Sequence, residues 1–243
     1  MSELELWESL RRFTPARIGL RRSGDRLGTD VVLDLRASHA LARDAVHEAL
    51  DVERTRDGLD SLGLGRSSVV ASAARDRAEY LRRPDLGRMP GEALTLASVD
   101  ADVALVVADG LSATAVHEHG LPLAKAIVDS LGASLRVAPP VVAVHARVAL
   151  SDHIGAALGV STVVMMIGER PGLSVPASLG IYLTHQPQIG LPDSRRNCIS
   201  NVHPPDGLGY ERAAGVLAAL VRGARELGES GVRLKDTAGD LPQ

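Results

Sequence analysis

The sequence predicts an α/β protein. A Rossmann-like parallel sheet flanked by helices is expected over residues 98–243, preceded by a smaller, mainly helical N-terminal domain over residues 1–97. Three observations lead there. After residue 98, continuous apolar runs alternate with helical segments, as for parallel strands buried on both faces and joined by crossover helices. Before it, the clearest periodicity is helical, with no strand pattern ahead of the first helix. Finally, 243 residues of which 45% are apolar suffice for one large or two small domains with proper cores.

In the first part, Leu35, Ala42, Val46 and Leu50 recur at helical spacing while Arg36, Arg43, Asp44, His47 and Glu48 fall largely elsewhere on the wheel. Residues 30–50 therefore read as an amphipathic helix. A second, short segment runs over 54–64. Its end, Gly63-Leu64-Gly65, lacks the third glycine and the preceding strand of a dinucleotide loop. Val69 and Val70 begin a strand. In the stretch 80–90, Pro84 and Pro90 bar a continuing helix and Gly87 allows a tight turn. Arg82, Arg83 and Arg88 surround this rigid loop. Two readings stand: a bidentate grip on phosphate or carboxylate, or a solvated linker paired with Asp85.

From residue 102 the pattern changes. The run 102–108 reads as a doubly buried strand, turned by Asp109-Gly110. Ser112 or Thr114 caps a helix that continues to Leu131 and stops at Gly132. Pro139-Pro140 leads into a second strand over 141–146. Ser151 or Asp152 caps a short helix ending at Leu158-Gly159. A third strand covers 160–167, with Gly168-Glu169-Arg170-Pro171-Gly172-Leu173 as its exit loop, and a fourth covers 178–184. Residues 186–208 read as a long loop carrying Cys198, of a length that is usually functional. A last helix spans 209–228. Ligands of open parallel sheets sit beyond the carboxyl ends of the strands. That places Asp109, Arg147, Val148, Glu169 and Arg170 at the expected crevice, with the Cys198 loop free to join them.

Composition narrows the function. With 27 basic and 30 acidic residues the net charge is −3, which gives no electrostatic case for nucleic acid or an anionic membrane. Five aromatic residues, Trp7, Phe13, Tyr80, Tyr182 and Tyr210, argue against base stacking. One cysteine excludes an internal disulfide or a multi-cysteine metal site and fits a reducing cytoplasm. No apolar run is long enough to span a bilayer, and the acidic start Met1-Ser2-Glu3-Leu4-Glu5 is unlike a secretory signal.

Enzymatic constellations are thin. His117-Glu118-His119 has the wrong spacing for two ligands on one helical face. No Walker loop and no Gly-x-Ser-x-Gly occurs. Cys198 with His203 reads either as nucleophile and base or as a small hydrophobe beside an unrelated histidine. Glu169 reads either as a surface acid neutralised by Arg170 or as a ligand group at a strand's carboxyl end. Asp152-His153-Ile154-Gly155 lacks the spacer of the Asp-x-His-x-x-Gly motif, in which a carboxylate orients a cobalt-ligating histidine.

Five segments together resemble the ethanolamine ammonia-lyase small-subunit (light chain) family. They are Ala42-Arg43-Asp44-Ala45-Val46, Arg83-Pro84-Asp85-Leu86-Gly87-Arg88, Ala108-Asp109-Gly110-Leu111-Ser112, Gly168-Glu169-Arg170-Pro171-Gly172-Leu173 and Asn197-Cys198-Ile199-Ser200-Asn201-Val202-His203-Pro204. They occur in the family's order and nearly its spacing, over about residues 6–232. The resemblance implies a subunit of an adenosylcobalamin-dependent lyase that converts ethanolamine to acetaldehyde and ammonia. It also implies a large barrel subunit that carries the substrate site and the catalytic side chains, leaving none in this chain. The partners would be heterodimers paired into tetramers and trimerised, with six large and six small subunits. Cobalamin contacts fall by motif on Val148, Glu169 and Cys198, with the cobalt keeping its own base and no metal ligand from this chain. Where the family has Tyr-Gly-Arg-Val, this chain has His145-Ala146-Arg147-Val148. It starts about where the family core starts, without the N-terminal extension that assists packaging into a bacterial microcompartment, so the expected location is the cytoplasm, with a microcompartment as the open alternative. A stand-alone cobalamin carrier and an independent α/β enzyme using Glu169 and Cys198 are the rival readings.

Overall fold

The computed structural model describes residues 3–235. The chain begins with helix α1 (Glu3–Arg11) and a short hairpin, β1 (Arg22–Ser23) and β2 (Arg26–Leu27). Helix α2 (Thr29–His47) follows, then α3 (Val52–Asp60), strand β3 (Ser68–Ala71) and α4 (Arg77–Arg82). Strand β4 (Val103–Ala108) leads into α5 (Ala113–Ala115), a π-helical turn (Val116–Gly120) and α6 (Leu121–Leu131). Strand β5 (Val141–Val144), helix α7 (Leu150–Leu158), strands β6 (Thr162–Gly168), β7 (Leu179–His185) and β8 (Asn197–Val202), and helix α8 (Tyr210–Leu227) complete it.

One six-stranded sheet in the order β3-β5-β4-β6-β7-β8 organises the molecule. Strands β3, β5, β4 and β6 are parallel, as the apolar runs predict. The expectation of a wholly parallel sheet is corrected at one edge, where β7 pairs antiparallel to both β6 and β8. The reason lies in the connection. A parallel crossover needs about a dozen residues or more, usually with a helix, and the helix-free segment 169–178 only lets the chain turn back. A second correction follows from it: part of the expected 186–208 loop is strand β8, so Cys198 sits on a sheet edge. The expected boundary at 97/98 also does not coincide with the sheet, since β3 precedes it and forms the opposite edge. The hairpin at 22–27 was not expected before α2.

Each face of the sheet has its own core. Helices α6 and α8 cover one face, with Leu179, Ile181, Leu183, Ile199 and Val202 beneath α8. On the other, α7 lies over β4 and β6 and packs Leu150, Ile154 and Leu158 against Val106, Val163 and Met165. Alternation then decides the rest. Gly180 and Tyr182 of β7, and Cys198 and Ser200 of β8, point to the α7 side beyond the reach of that helix, and Cys198 and Ser200 are exposed.

Capping agrees with the sequence in part. Ser112 caps α5, its hydroxyl accepting from the Ala115 N–H, and Gly132 (φ 64°) and Gly159 (φ 74°) end α6 and α7 in the positive-φ region. The expected cap of α7 by Ser151 or Asp152 is corrected. Ala149 holds the N-cap position without a side-chain bond, because Asp152 faces Arg196 instead.

Candidate functional site

The carboxyl ends of β4, β5 and β6 are built around Asp109. Gly110 turns the chain at φ 52°, and an added Cβ there would lie 2.3 Å from the Gly168 carbonyl oxygen. This close approach brings the exits of β4 and β6 together. The Asp109 carboxylate accepts from the His145 N–H (3.0 Å), the Ala146 N–H (3.1 Å) and the Arg77 guanidinium (3.1 Å). Burial pushes this carboxyl above its ordinary range, while Arg77 and the two N–H groups pull it back. Held in this way, His145 adopts φ 53°, a conformation costing about 1–3 kcal/mol that persists only under such constraint. The chain then releases Arg147 and Val148 toward the start of α7.

Beneath them lies Tyr80, wholly buried, whose hydroxyl donates to the Ala146 carbonyl (2.9 Å). Three cationic or aromatic groups surround its ring: Arg77 at 5.1 Å, Arg147 at 4.6 Å and the His145 ring at 5.9 Å. Gly87 seats Arg147, since an added Cβ would meet Tyr80 at 2.8 Å and the Arg147 stem at 2.9 Å. Its carbonyl accepts from the Arg147 N–H (2.8 Å). The loop arginines behave differently. Arg83 pairs with Asp85 in solvent, Arg88 lies 3.6 Å from Asp193, and Arg82 bonds the Ala78 carbonyl. The solvated reading of Arg83 with Asp85 holds, and the arginines near the strand ends are Arg77 and Arg147.

Glu169 leaves β6 and reaches over β7 to β8. It is not paired with Arg170; its carboxylate accepts from the Ser178 hydroxyl (2.7 Å), the Ser200 hydroxyl and the Asn201 N–H (3.1 Å). The absence of a side chain at Gly180 makes this path free, because a Cβ there would stand 3.1 Å from a Glu169 carboxylate oxygen. Cys198 lies across from Tyr182 on the same face. Desolvation by neighbouring protein atoms pushes its thiol up, and the Glu169 charge adds to this. The phenol of Tyr182 is also raised, first by burial and then by Cys198 and Glu169.

Glu169 and Cys198 thus share one open patch with Tyr182 and Ser200. Val148, half-buried, follows β5, which β4 and β6 separate from β7, and packs against the core layer beneath α7 on which Tyr182 also rests. Tyr182 and Ser200 went unnoticed in the sequence: Tyr182 reads only as a strand residue, and Ser200 appears only inside a motif. The nucleophile reading of Cys198 is not supported. His203 lies five residues further on, beyond the turn of the chain at Asn201 (φ 65°) and the end of β8. It bonds Asn201 (2.8 Å) instead, and the thiol is raised rather than lowered. His117 bonds Glu48 and the Asp51 N–H, whereas His119 bonds Tyr210. Among the described residues no cluster of His, Cys, Asp or Glu is arranged to hold a metal.

The sequence model of the ethanolamine ammonia-lyase light chain (EutC) matches residues 4–235. The chain belongs to this family. Similar members carry the name ethanolamine ammonia-lyase small subunit. That of Rhodococcus erythropolis is 56% identical over 235 residues, covering 97% of this chain and 91% of its own length. Those of Ralstonia nicotianae and Azotobacter vinelandii are 47% and 48% identical, each covering 96% of this chain and 88% of its own. Coverage this complete means that the family's small subunit corresponds to the whole sheet described above, both edges included.

The patch suits a large, flat, amide-bearing cofactor. The exposed, weakly polar Cys198 and the half-buried Val148 offer surface for a ring system, while Glu169 and Tyr182 occupy the space over the buried Gly180. Glu169 uses three of about four acceptor positions on its carboxylate and keeps one for an incoming N–H or hydroxyl. The residues present therefore fit a cobalamin lying across them.

Proposed function

We propose that this chain is the small subunit of a two-subunit ethanolamine ammonia-lyase, which converts ethanolamine to acetaldehyde and ammonia with adenosylcobalamin. The observation that carries the reading is the family match over residues 4–235. The nearness of Glu169 to Ser200 on the strand that carries Cys198, with Val148 just beyond the carboxyl end of β5, supports the assignment of the cofactor contacts. When bound, the cofactor supplies radical chemistry through its cobalt–carbon bond. The chain's own residues do something else. Glu169 accepts a hydrogen bond at the rim of the patch, Val148 and Cys198 pack against the ring system, and Tyr182 backs the thiol. The substrate site and catalytic side chains belong to the large barrel subunit, with six of each subunit in the full assembly. No helix among the described residues is long and apolar enough to cross a membrane, and the lone cysteine suits a reducing cytoplasm.

The test is reconstitution. The two subunits are purified separately and mixed with adenosylcobalamin and ethanolamine. Acetaldehyde is expected only from the mixture. Acetaldehyde from this chain alone would reveal an independent enzyme. Tight cobalamin uptake by this chain without association with the large subunit would instead reveal a carrier.

A further inference from the structure

Arg147 is a cation without a counter-ion. Among the described residues its guanidinium has neither an ion pair nor a hydrogen bond, and its Nε is buried without an acceptor. The one buried carboxylate nearby cannot serve it. Asp109 is already engaged by Arg77 and by the N–H groups of His145 and Ala146, and no hydrogen bond or ion pair joins it to Arg147. Arg77 adds to the imbalance, since one of its terminal nitrogens, Nη2, is buried and unpaired as well. Two guanidinium charges thus meet one carboxylate around the Tyr80 ring. Of the Arg147 nitrogens only Nε is buried without an acceptor, which leaves the terminal nitrogens accessible to an anion from outside the chain. The stem of Arg147 is held by Gly87 and its guanidinium rests 4.6 Å from the Tyr80 ring centroid. A guanidinium fixed in this way is pre-organised to donate two parallel hydrogen bonds to a planar or tetrahedral oxyanion.

We propose that Arg147, supported by Arg77 and Tyr80, is a phosphate-binding site for the phosphodiester in the nucleotide tail of the cobalamin. The inference rests on the functional reading above. Cobalamin has amide side arms and a single anionic group, the phosphodiester. Arg147 immediately precedes Val148, so an anion bound there lies beside the ring-packing patch rather than upon it. A guanidinium also suits this group better than an amide, which offers no charge.

The test compares adenosylcobalamin with adenosylcobinamide, which lacks the phosphodiester and the nucleotide. Equilibrium affinities are read by absorbance or by co-elution with the assembled two-subunit complex, without reference to turnover. Arg147→Gln should weaken cobalamin binding about tenfold, the scale of one lost charge-assisted hydrogen bond, and leave cobinamide binding unchanged. Arg147→Lys, which keeps the charge but not the bidentate geometry, should fall between and covers the case in which Arg147→Gln does not fold. Cobalamin affinity should decline with added salt in the wild type and less so in Arg147→Gln. Equal losses for both ligands would overturn the proposal in favour of a packing role. Unchanged affinity for both would overturn it while leaving the lyase reading intact. Dissociation of the Arg147→Gln complex into subunits, with normal affinity in what remains assembled, would assign the anion to a carboxylate of the large subunit. A wild-type complex that binds neither ligand would overturn the functional reading itself.

Discussion

Glu169 ties three pieces of chain together, and that dual duty shapes what its removal should do. Its carboxylate gathers Ser178 at the start of β7 with Ser200 and the Asn201 N–H at the end of β8. Glu169→Ala should therefore weaken cobalamin binding about tenfold or more in the assembled complex. It should also lower the unfolding midpoint by an amount that Glu169→Gln largely restores, since the amide oxygen still accepts. A titration with both variants checks this, and normal cobalamin affinity in Glu169→Ala would confine the residue to joining strands. Asp152 shows the same economy. Both its oxygens receive Arg196 (2.7 Å each), and both side chains are 1% exposed. With its acceptors directed at Arg196, Asp152 is not available to orient His153. The pair with Arg196 could not be read from the sequence, where the missing spacer between Asp152 and His153 alone speaks against the motif.

At the scale of elements, α7 is the piece most tightly specified by close contact. Gly155 sits where an added Cβ would meet Val163 at 2.5 Å and Pro187 at 2.6 Å. Gly155→Ala should therefore destabilise by about 1–3 kcal/mol through overpacking, outweighing the ~1 kcal/mol that alanine gains in a helix. Gly215 on the exposed side of α8 is the control. Nothing lies within 4 Å of a Cβ there, so Gly215→Ala should stabilise by roughly 0.5–1 kcal/mol. Two thermal melts of the same preparation decide it, and parallel shifts in the two variants would remove packing as the cause. The central strands were legible because β4 and β6 are buried along their whole length and apolar apart from Thr162 and Gly168 at the two ends of β6. Strand β8 was not. Only Ile199 and Val202 face its core, and the irregular register between β7 and β8 breaks the alternation that would have revealed it. The direction of β7 was hidden for another reason: Leu-Gly-Ile-Tyr-Leu-Thr-His reads alike in a parallel or an antiparallel setting.

Across the whole molecule, the places of Val148 and Glu169 just beyond strand ends were legible in the sequence, whereas that of Cys198 on an edge strand was not. The candidate site was also illegible where distant segments converge, as Arg77, Tyr80 and Gly87 do on Arg147. Two histidines buried elsewhere in the fold make it sensitive to acid. His185, on β7, bonds the Thr162 hydroxyl of β6 (2.9 Å), and its backbone N–H donates to Ser230. Burial lowers its pKa, and the nearby Arg225 lowers it further. His119, in the π-helical turn, bonds Tyr210. It is also lowered by burial, with Glu118 opposing and His203 assisting. In the unfolded chain both histidines titrate near 6.5. Below that value the unfolded chain takes up protons that the folded chain resists, so stability falls as pH falls and is fully retained above it. Asp109 acts in the opposite sense, because its raised carboxyl favours the folded state as acid is added, so the two histidines are separated from it by substitution. The unfolding midpoint should therefore drop between pH 8 and pH 5.5, and the drop should be shallower in His185→Gln, whose amide keeps a partner for Thr162 and does not titrate. An identical pH slope in the variant and the wild type would place the acid sensitivity elsewhere.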